Sequence, residues 1–309
     1  MPVVATAAPV HSSSPPAASD AAAAEAEADL SSALSLANIR QTLIRLEDTI
    51  IFSLIERAQF ARNEPVYEAG AIPVPGFHAT GSRYSLLEYL LREIEQVHGR
   101  IRRYTSPDEY AFFPEDLPAL VLPPITYEQV LAPCSTVVNI NTAILDMYLQ
   151  DLLPEISVPG DDHNYGSSAM NDVTALQALS KRIHYGMFVA EAKFRKQTEQ
   201  YSELIRRQDS AAILDLLTDR AVELKVIERV RLKAATFGVD LSSGGDGCTS
   251  YRVQPEVVAQ LYEKWIMPLT KEVEVQYLLR RLDAESGGSS SDGAAAASKA
   301  QQRQHSAAA

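Results

Sequence analysis

Two cations share one face of a predicted helix in the middle of the chain. Arg182 and Lys193 lie in the segment KRIHYGMFVAEAKF (181–194), inside a run with helical periodicity from about residue 169 to 205. Eleven residues at about 100° each make three turns plus about 20°, so both side chains leave one face, about 16 Å apart along the axis. Between them on that face are the small residues Gly186 and Val189. This spacing favours a small molecule that carries two negative charges.

Carboxylates and a hydroxyl follow the same pattern on other predicted helices. Asp219 and Glu223, and likewise Thr270 and Glu274, are four residues apart, and Arg40 lies near the start of the first long helix. Apolar neighbours place these groups toward the buried side, where charge is costly unless it is paired or used on a ligand. The joint pattern predicts an anion-binding site between helices. Each residue alone could also lie at the edge of an amphipathic face or form an ordinary ion pair.

The composition excludes several classes of protein. The 309 residues are 46% hydrophobic and 22% charged, an ordinary globular balance, and the net charge of −12 argues against a nucleic-acid or membrane-surface binder. Cys134 and Cys248 are the only cysteines, and no Cys/His cluster has metal-ligand spacing. His184 stands near no acidic partner in the sequence, which favours a packed core or surface histidine. We predict a reduced, cytoplasmic protein without a metal or cofactor and without a membrane span.

Both ends of the chain differ from its centre. Residues 1–30 and 285–309 are rich in Ala, Ser, Gly and Pro, so they cannot bury enough surface to offset ordering entropy and are predicted to be disordered. The first segment lacks the basic region of a secretory signal, and its acidic residues are untypical of a transit peptide. Residues 34–283 remain as one predicted domain, long enough for a substantial core.

Helical periodicity dominates this domain. The apolar spacing and the positions of Pro and Gly predict helices at 34–61, 84–104, 126–131, 136–152 (ending at Pro154), 169–205, 209–217, 218–236 and 255–282. No β-alternation or hairpin signal is present. Such long helices predict an all-α fold, either a long-helix bundle or a helical dimer.

Four segments of the chain resemble the allosteric, all-helical chorismate mutases of fungi and plants. They read LANIRQTLIRLEDTIIFSLIERAQF, RIRRYTSPDEYAFFP, LSKRIHYGMFVAEAKF and PLTKEVEVQYLLRRL, in this order from about residue 36 to residue 282. The resemblance implies a homodimer of helical subunits that converts chorismate to prephenate on the route to phenylalanine and tyrosine. That reaction is a unimolecular [3,3] rearrangement, and no cofactor is implied.

The resemblance also assigns roles to the residues already singled out. Arg40 and Arg182 are expected to hold the two substrate carboxylates, because a guanidinium meets a carboxylate bidentately. Lys193 and Glu274 are expected to donate to the ether oxygen, which Glu274 can do only when protonated. Glu223 is expected to accept from the ring hydroxyl of the substrate.

Two further residues complete the implied catalytic set. Thr270 is expected to support the site. Asp219 stands where fungal relatives often have Asn, and a carboxylate cannot donate unless it is protonated. A direct contact of Asp219 with a substrate carboxylate therefore requires Asp219 to be protonated.

A regulatory site for aromatic amino acids is implied at the dimer interface, with tryptophan activating and tyrosine inhibiting. The matching residues are Arg102 and Arg103 from one subunit and Asn164, Gly166 and Ser167 from the other. The basic run RIRRY could instead complement the dipole of a helix C-terminus. Gln254 replaces a threonine of the fungal pattern, which bears on how an effector would couple to the active site.

The alternative function is that of a non-catalytic helical paralogue acting as a binding or regulatory partner. Loss of Arg40, Arg182, Lys193 or Glu274 would favour it, and all four are present. A secreted mutase is a second alternative, but it would need a signal peptide and usually loses the effector site. The sequence therefore favours a regulated mutase.

Overall fold

The computed structural model describes residues 35–74, 84–125, 127, 129–240 and 250–283. The chain begins with helices α1 (Leu36–Arg57), α2 (Leu86–Arg100), α3 (Asn141–Met147), α4 (Leu153–Ile156) and α5 (Tyr165–His184). It continues with α6 (Gly186–Lys196), α7 (Thr198–Arg206), α8 (Ser210–Leu217), α9 (Arg220–Phe237), α10 (Pro255–Leu261) and α11 (Met267–Leu279). The predicted helical fold is confirmed for the described residues, and the tails predicted at 1–30 and 285–309 lie outside them.

A two-residue β-pair was not predicted. Strands β1 (Val239–Asp240) and β2 (Ser250–Tyr251) pair antiparallel, with Val239 opposite Tyr251. Two residues are too few for an alternating pattern, which explains why the sequence gives no strand signal. Within the described residues no helix is long and apolar enough to cross a membrane.

The core forms around α1 and α5, which pack along each other. Ser35 caps α1 by accepting a hydrogen bond from the Asn38 amide at 3.2 Å, and the predicted apolar stripe of α1 is buried at Ile39, Ile50 and Leu54. The positions of the site residues on α5 are therefore fixed by packing against the longest helix of the described chain.

The helix predicted at 169–205 consists of three helices, α5, α6 and α7. Tyr185 separates the first two but keeps right-handed dihedral angles (φ −60°, ψ −13°), whereas Gln197, before α7, leaves the helical region (φ −136°, ψ 48°). Arg182 thus belongs to the last turn of α5, and Lys193 to α6. Periodicity alone could not detect an interruption of one residue.

Two π-helical turns explain how helices pass prolines. They span Tyr148–Leu152 and Tyr262–Ile266, and in each case a proline, Pro154 or Pro268, follows two residues after the turn ends. Proline lacks an amide hydrogen and clashes with the carbonyl four residues earlier, so a wider turn at that point relieves the conflict. The predicted helix end at Pro154 is therefore wrong, since helical structure continues to Ile156.

Two predictions for the proline-rich part of the chain also differ from the structure. The helix predicted from residue 136 begins at Asn141, because residues Pro133–Val137 form a 3₁₀ turn. The short helix predicted at 126–131 is absent from the residues described there, 127 and 129–131. Proline-rich sequence surrounds both places, and proline disfavours the helical region for the residue before it.

A buried ionic cluster joins α1 and α5 at the end remote from Arg182. Arg57 Nε donates to Asp172 Oδ1 at 2.7 Å, and the hydroxyls of Tyr148 and Tyr67 donate to the same carboxylate at 2.6 and 2.7 Å. Arg57, Asp172 and Tyr148 are all fully buried. Burial pushes the pKa of Tyr148 well above its usual value, so this hydroxyl stays protonated and remains a donor. The cluster fixes α5 against α1 through charge-assisted hydrogen bonds.

Candidate active site

One cavity brings together most of the residues singled out in the sequence. It encloses about 160 Å³ between α1, α5, α6, α9 and α11. The predicted catalytic residues on its wall are Arg182, Lys193, Asp219, Glu223, Thr270 and Glu274. Leu43, Val189, Val226 and Met267 supply apolar wall. The structure thus places predicted catalytic side chains carried by α5, α6, α9 and α11 around one space.

Arg40 is the predicted catalytic residue that is not on this wall. It lies in α1 and its side chain is exposed. Leu43, three residues later, lines the cavity, and residues three apart are neighbours on a helix surface. Arg40 therefore lies near the edge of the cavity, and its contact with a ligand remains a prediction.

Arg182 is buried without a counter-ion. It is 6% exposed, its Nη1 lies 3.4 Å from the Thr270 hydroxyl, and its Nε has no hydrogen-bond partner. Within the described residues no carboxylate oxygen lies within 4.0 Å of its guanidinium nitrogens. A buried cation in this condition is costly unless a ligand supplies the negative charge. Arg182 therefore marks the cavity as a site for an anion.

Lys193 reaches the same cavity from α6. Its Nζ donates to the carbonyl of Leu217, the last residue of α8, at 2.5 Å. An ammonium group has three donors, so this contact orients the side chain and leaves further donors for a ligand. The carbonyl end of a helix also carries partial negative charge, which stabilises a cation there.

Glu274 is the buried acid of the cavity. It is 6% exposed, and burial raises the pKa of its carboxyl group to about 7, although Lys193, Arg182 and Lys271 act to lower it. A pKa near 7 means that about half of this group is protonated at neutral pH. Glu274 can therefore donate a hydrogen bond to a ligand under ordinary conditions.

Glu223 is held by two cations. Lys271 Nζ lies 2.5 Å from Glu223 Oε1, and Arg220 Nη1 lies 3.2 Å from Oε2. Lys271 also lines the cavity, as a third cation beside Arg182 and Lys193. Neither Lys271 nor Arg220 was predicted from the sequence to belong to the site. No spacing rule connects Lys271 with Glu223, because they lie on different helices.

Asp219 caps the helix that carries Glu223. Its Oδ1 accepts from the amides of Ala221 at 3.1 Å and Val222 at 3.2 Å, so it is the N-cap of α9. Asn and Asp are equally good N-caps. The difference from the fungal pattern at this position therefore leaves the start of α9 intact.

Gly186 serves helix packing rather than ligand space. A Cβ atom at this position would lie 2.8 Å from Thr270 Cγ2, 3.1 Å from the Thr270 carbonyl oxygen and 3.2 Å from Glu274 Cγ. The absence of a side chain lets α6 approach α11 at the two residues that line the cavity. Val189, the other small residue between the cations, does line the cavity.

A second buried carboxylate joins α1 to α9. Glu47 is fully buried and accepts from Arg229 Nε at 2.8 Å and Nη2 at 2.5 Å, while Lys233 Nζ lies 3.2 Å away. This contact connects the helix of Arg40 with the helix of Glu223. No spacing within the sequence predicts this contact, because it depends on how two helices far apart in sequence meet.

The predicted effector residues form two separate groups within one chain. Arg103 Nε lies 3.0 Å from Glu109, and its Nη1 donates to Gln177 on α5 at 2.8 Å. Arg102 donates to the Pro123 carbonyl at 2.6 Å. The other group, Asn164, Gly166 and Ser167, is exposed at the start of α5. Gln177 is eleven residues beyond Gly166, about 16 Å along the helix, so the groups do not meet within a chain.

His184 is a core residue, one of the two interpretations left open by the sequence. It is fully buried, its Nε2 accepts from the Ile140 amide at 3.1 Å, and its Nδ1 lies 2.9 Å from the Ser180 carbonyl. Burial lowers its pKa to about 4, so the ring is neutral at ordinary pH. It supports the last turn of α5 and does not face the cavity.

A larger cleft of about 720 Å³ lies elsewhere, between residues 104–117 and residues 125–139. Among the residues that the structure describes, its wall includes Glu109 and has no lysine or arginine. The charge of its wall therefore makes it unsuitable for a dianion. The smaller cavity, lined by Arg182, Lys193 and Lys271, instead has the charge and size that a compact, negatively charged molecule requires, in a protein built mainly of helices.

Comparison with known proteins identifies the family that this chain is similar to. The profile of the family "Chorismate mutase type II" matches residues 164–275. Chorismate mutase 1, chloroplastic, of Petunia hybrida is 50% identical over 82% of this chain and 78% of its own. The chorismate mutase of Emericella nidulans is 46% identical over 82% of this chain and 95% of its own.

Solved structures agree with these relatives. Aro7p chorismate mutase from Candida albicans, in complex with L-Trp, has a TM-score of 0.77 at 44% identity, over 82% of this chain and 94% of that one. A structure of AtCM1 with tyrosine bound in its allosteric site has a TM-score of 0.73 at 46% identity, over 81% and 97%. The chain belongs to the chorismate mutase type II family.

Proposed function

We propose that this protein converts chorismate to prephenate in the cavity between α5, α6, α9 and α11. The observation that carries this assignment is the buried Arg182, which has no counter-ion among the described residues and shares one cavity with Lys193 and with Glu274, whose pKa is about 7. Chorismate is a compact dianion with an ether bridge and a ring hydroxyl. The cavity offers a complement to each of these groups.

The rearrangement requires side chains that position the substrate and stabilise developing charge, and it does not require a side chain that reacts covalently. One cyclic shift of three electron pairs breaks the ether C–O bond and forms a C–C bond, so no proton or leaving group is transferred. Arg182 binds one carboxylate from within the cavity, and Arg40 binds the other from its edge. Holding the substrate in its compact conformer lowers the entropic part of the barrier.

Charge develops on the ether oxygen as the C–O bond breaks. Lys193 and protonated Glu274 donate to this oxygen, and donors fixed in a buried site stabilise such charge better than water does. Glu223, oriented by Lys271 and Arg220, accepts from the ring hydroxyl. Asp219 acts through the start of α9, which it caps.

The protein is proposed to act as a homodimer that aromatic amino acids regulate, with tryptophan activating and tyrosine inhibiting. Relatives have been solved with L-Trp or with tyrosine in an allosteric site. Exposed apolar side chains lie beside each predicted half-site, at Val97 and Ile101 before Arg102, and at Met170 after Ser167. A second subunit would cover these side chains and bring the two halves together.

The cytoplasmic location stays a prediction. Two relatives from Zea mays, one chloroplastic and one cytosolic, are 50% and 44% identical to this chain. A fluorescent fusion of the full chain would test the location, and accumulation in a plastid would contradict the prediction.

An assay of the purified full chain with chorismate tests the function. We expect loss of the substrate's ultraviolet absorbance and formation of prephenate, and a loss of at least about 10³-fold in kcat/KM for Arg182→Met. A matched control is Arg206→Met, at an exposed arginine on α7. Binding of chorismate without turnover would instead support the non-catalytic paralogue.

A further inference from the structure

A buried cluster outside the cavity joins the two helices that carry the ether-facing donors. Glu191 of α6 is fully buried and accepts from the Tyr277 hydroxyl at 2.5 Å, from Arg281 Nε at 2.7 Å and from Arg195 Nε at 2.8 Å. Tyr277, also fully buried, accepts in turn from the Ala132 amide at 2.9 Å. None of these groups lines the cavity, so the reaction does not use them directly.

The cluster lies within about one helical turn of Lys193 and Glu274, the two residues proposed to donate to the ether oxygen. Lys193 is two residues after Glu191 on α6, and Glu274 is three residues before Tyr277 on α11. Positions two apart leave a helix on different sides, so α6 presents Glu191 to the cluster and Lys193 to the cavity. Positions three apart are neighbours, so Tyr277 and Glu274 lie on one side of α11.

Other contacts between α6 and α11 do not fix their alignment as specifically. Among the described residues, the bond from Tyr277 to Glu191 is the one hydrogen bond between side chains of these two helices. At the other end of the interface Gly186 packs against Thr270 and Glu274 through van der Waals contact. Apolar contact is non-directional, whereas a short hydrogen bond to a carboxylate has a defined distance and angle.

We propose that Glu191, acting through Tyr277 and Arg281, is a positioning residue that holds the Lys193 ammonium opposite the Glu274 carboxyl group. Both donors must face the same ether oxygen, and a displacement of about 1 Å can cost about 10²-fold in rate. Supporting residues of this kind fix the geometry of a site that they do not touch. The inference rests on the proposed function, because it concerns the alignment of its two donors.

Tyr277→Phe tests the proposal, with Tyr148→Phe as a matched control. Each substitution removes one fully buried tyrosine hydroxyl that donates to a buried carboxylate paired with arginine, at 2.5 Å in one case and 2.6 Å in the other. Only the first bond joins α6 to α11. We expect Tyr277→Phe to lower kcat about 10- to 100-fold with little change in KM, and Tyr148→Phe to change kcat less than about threefold, although both lower the melting temperature.

The pH profile adds a readout that loss of stability alone would not move. The charged groups facing Glu274 are Lys193 from α6, Arg182 from α5, Lys271 from α11 and Glu223 from α9. If Lys193 moves away, the carboxylate loses a nearby cation and the alkaline limb of kcat/KM moves to higher pH. Coulomb's law at an effective dielectric constant of about 20 gives a shift of about one unit for a cation moved from about 4 to about 6 Å.

Equal losses of kcat in the two variants with unchanged pH limbs would overturn the proposal. If Tyr277→Phe does not fold, Arg281→Met decides, because Arg281 is only partly buried and a methionine there can replace the guanidinium contact with the Phe194 ring by apolar contact. A smaller loss of kcat with the same direction of pH shift supports the proposal, and a profile identical to wild type contradicts it. Failure of the wild-type chain to turn over chorismate would instead refute the proposed function, and the inference with it.

Discussion

Glu274 and Glu223 line the same cavity, but the groups around their carboxyl groups differ. Glu274 is buried, and burial is the main cause of its raised pKa, whereas Glu223 is in direct contact with Lys271 and Arg220. The first group can act as a donor because it retains a proton, and the second can act as an acceptor. Two residues of one type can thus serve opposite roles in a single small site.

Replacing Glu274 by glutamine should change the pH dependence of the reaction. The active form of Glu274 is protonated, so wild-type kcat/KM should be maintained below about pH 7 and fall about tenfold per pH unit above it. Glu274→Gln keeps a donor at every pH and should show no such fall. Stopped assays from pH 5 to pH 9 would measure both profiles.

Glu272→Gln is the control for this experiment. Glu272 lies on the same helix with its side chain exposed, and it should keep the wild-type limb. The proposed role of Glu274 as an acid would be refuted by a Glu274→Gln enzyme that loses activity above pH 7 as the wild type does.

At the residue scale, the sequence indicates which side chains lie close together, but not whether they are protonated or which ion pairs they form. The i,i+4 spacings predict that Asp219, Glu223, Thr270 and Glu274 point inward from separate helices, and in the structure all four line one cavity. The raised pKa of Glu274 depends on burial by neighbours from four helices, and the position of Lys271 depends on how two of them cross. Both are properties of tertiary packing, which one sequence does not reveal.

At the scale of elements, the approach of α6 to α11 depends on Gly186. Gly186→Ala would bring a methyl group to 2.8 Å from Thr270 Cγ2 and 3.1 Å from a backbone carbonyl, so α11 must shift. We expect a loss of about 1–3 kcal/mol from overpacking, partly offset by about 1 kcal/mol of better helix propensity. The accompanying displacement of Thr270 and Glu274 should lower kcat. Chemical denaturation and steady-state assays measure the two effects.

Gly166→Ala provides the stability control for this change. Gly166 lies in the first turn of α5 with nothing within 4 Å of an added Cβ, so alanine should be neutral or stabilising by up to about 1 kcal/mol. Similar losses at Gly166 and Gly186 would contradict the packing argument.

The start of α9 yields a second prediction at this scale. Asp219→Asn should leave the free energy of unfolding nearly unchanged, because asparagine also accepts from the amides of Ala221 and Val222. Asp219→Ala should lose about 1 kcal/mol and lower kcat by moving Glu223. Thermal denaturation of the two variants side by side would measure this. Equal stability of the alanine and asparagine variants would show that the cap is unimportant.

Helices were easier to predict than their irregularities. The long apolar stripes of α1, α5 and α9 fix the type of these elements, since a period of 3.6 residues over many turns has few alternatives. The π turns before Pro154 and Pro268 could not be predicted, because proline in a helical pattern normally indicates an end. Packing of both flanks against the core makes continuation more favourable than termination.

At the scale of the whole molecule, the proposed effector site requires two subunits. Arg103→Ala and Gly166→Leu should each abolish the response to tryptophan in a homodimer. A mixed dimer of the two should recover part of it, because one of its two sites then combines an intact Arg103 with an intact Gly166. Light scattering should give a mass twice that of one chain, and assays with and without tryptophan measure the response.

Arg100→Ala, at an exposed arginine of α2, should leave the response unchanged. Absence of any recovery in the mixed dimer would contradict the arrangement proposed here.

The buried guanidinium of Arg182, which has no counter-ion among the described residues, has a practical consequence for handling the protein. Small divalent anions in a storage buffer, malonate or sulfate for example, should protect it against heat better than chloride at the same ionic strength. At ten times the dissociation constant the gain is about 1.4 kcal/mol. The melting temperature of the Arg182→Met variant should not depend on which of these anions is present. In chloride this variant should be more heat-resistant than the parent, because it lacks the buried charge, although it also loses turnover.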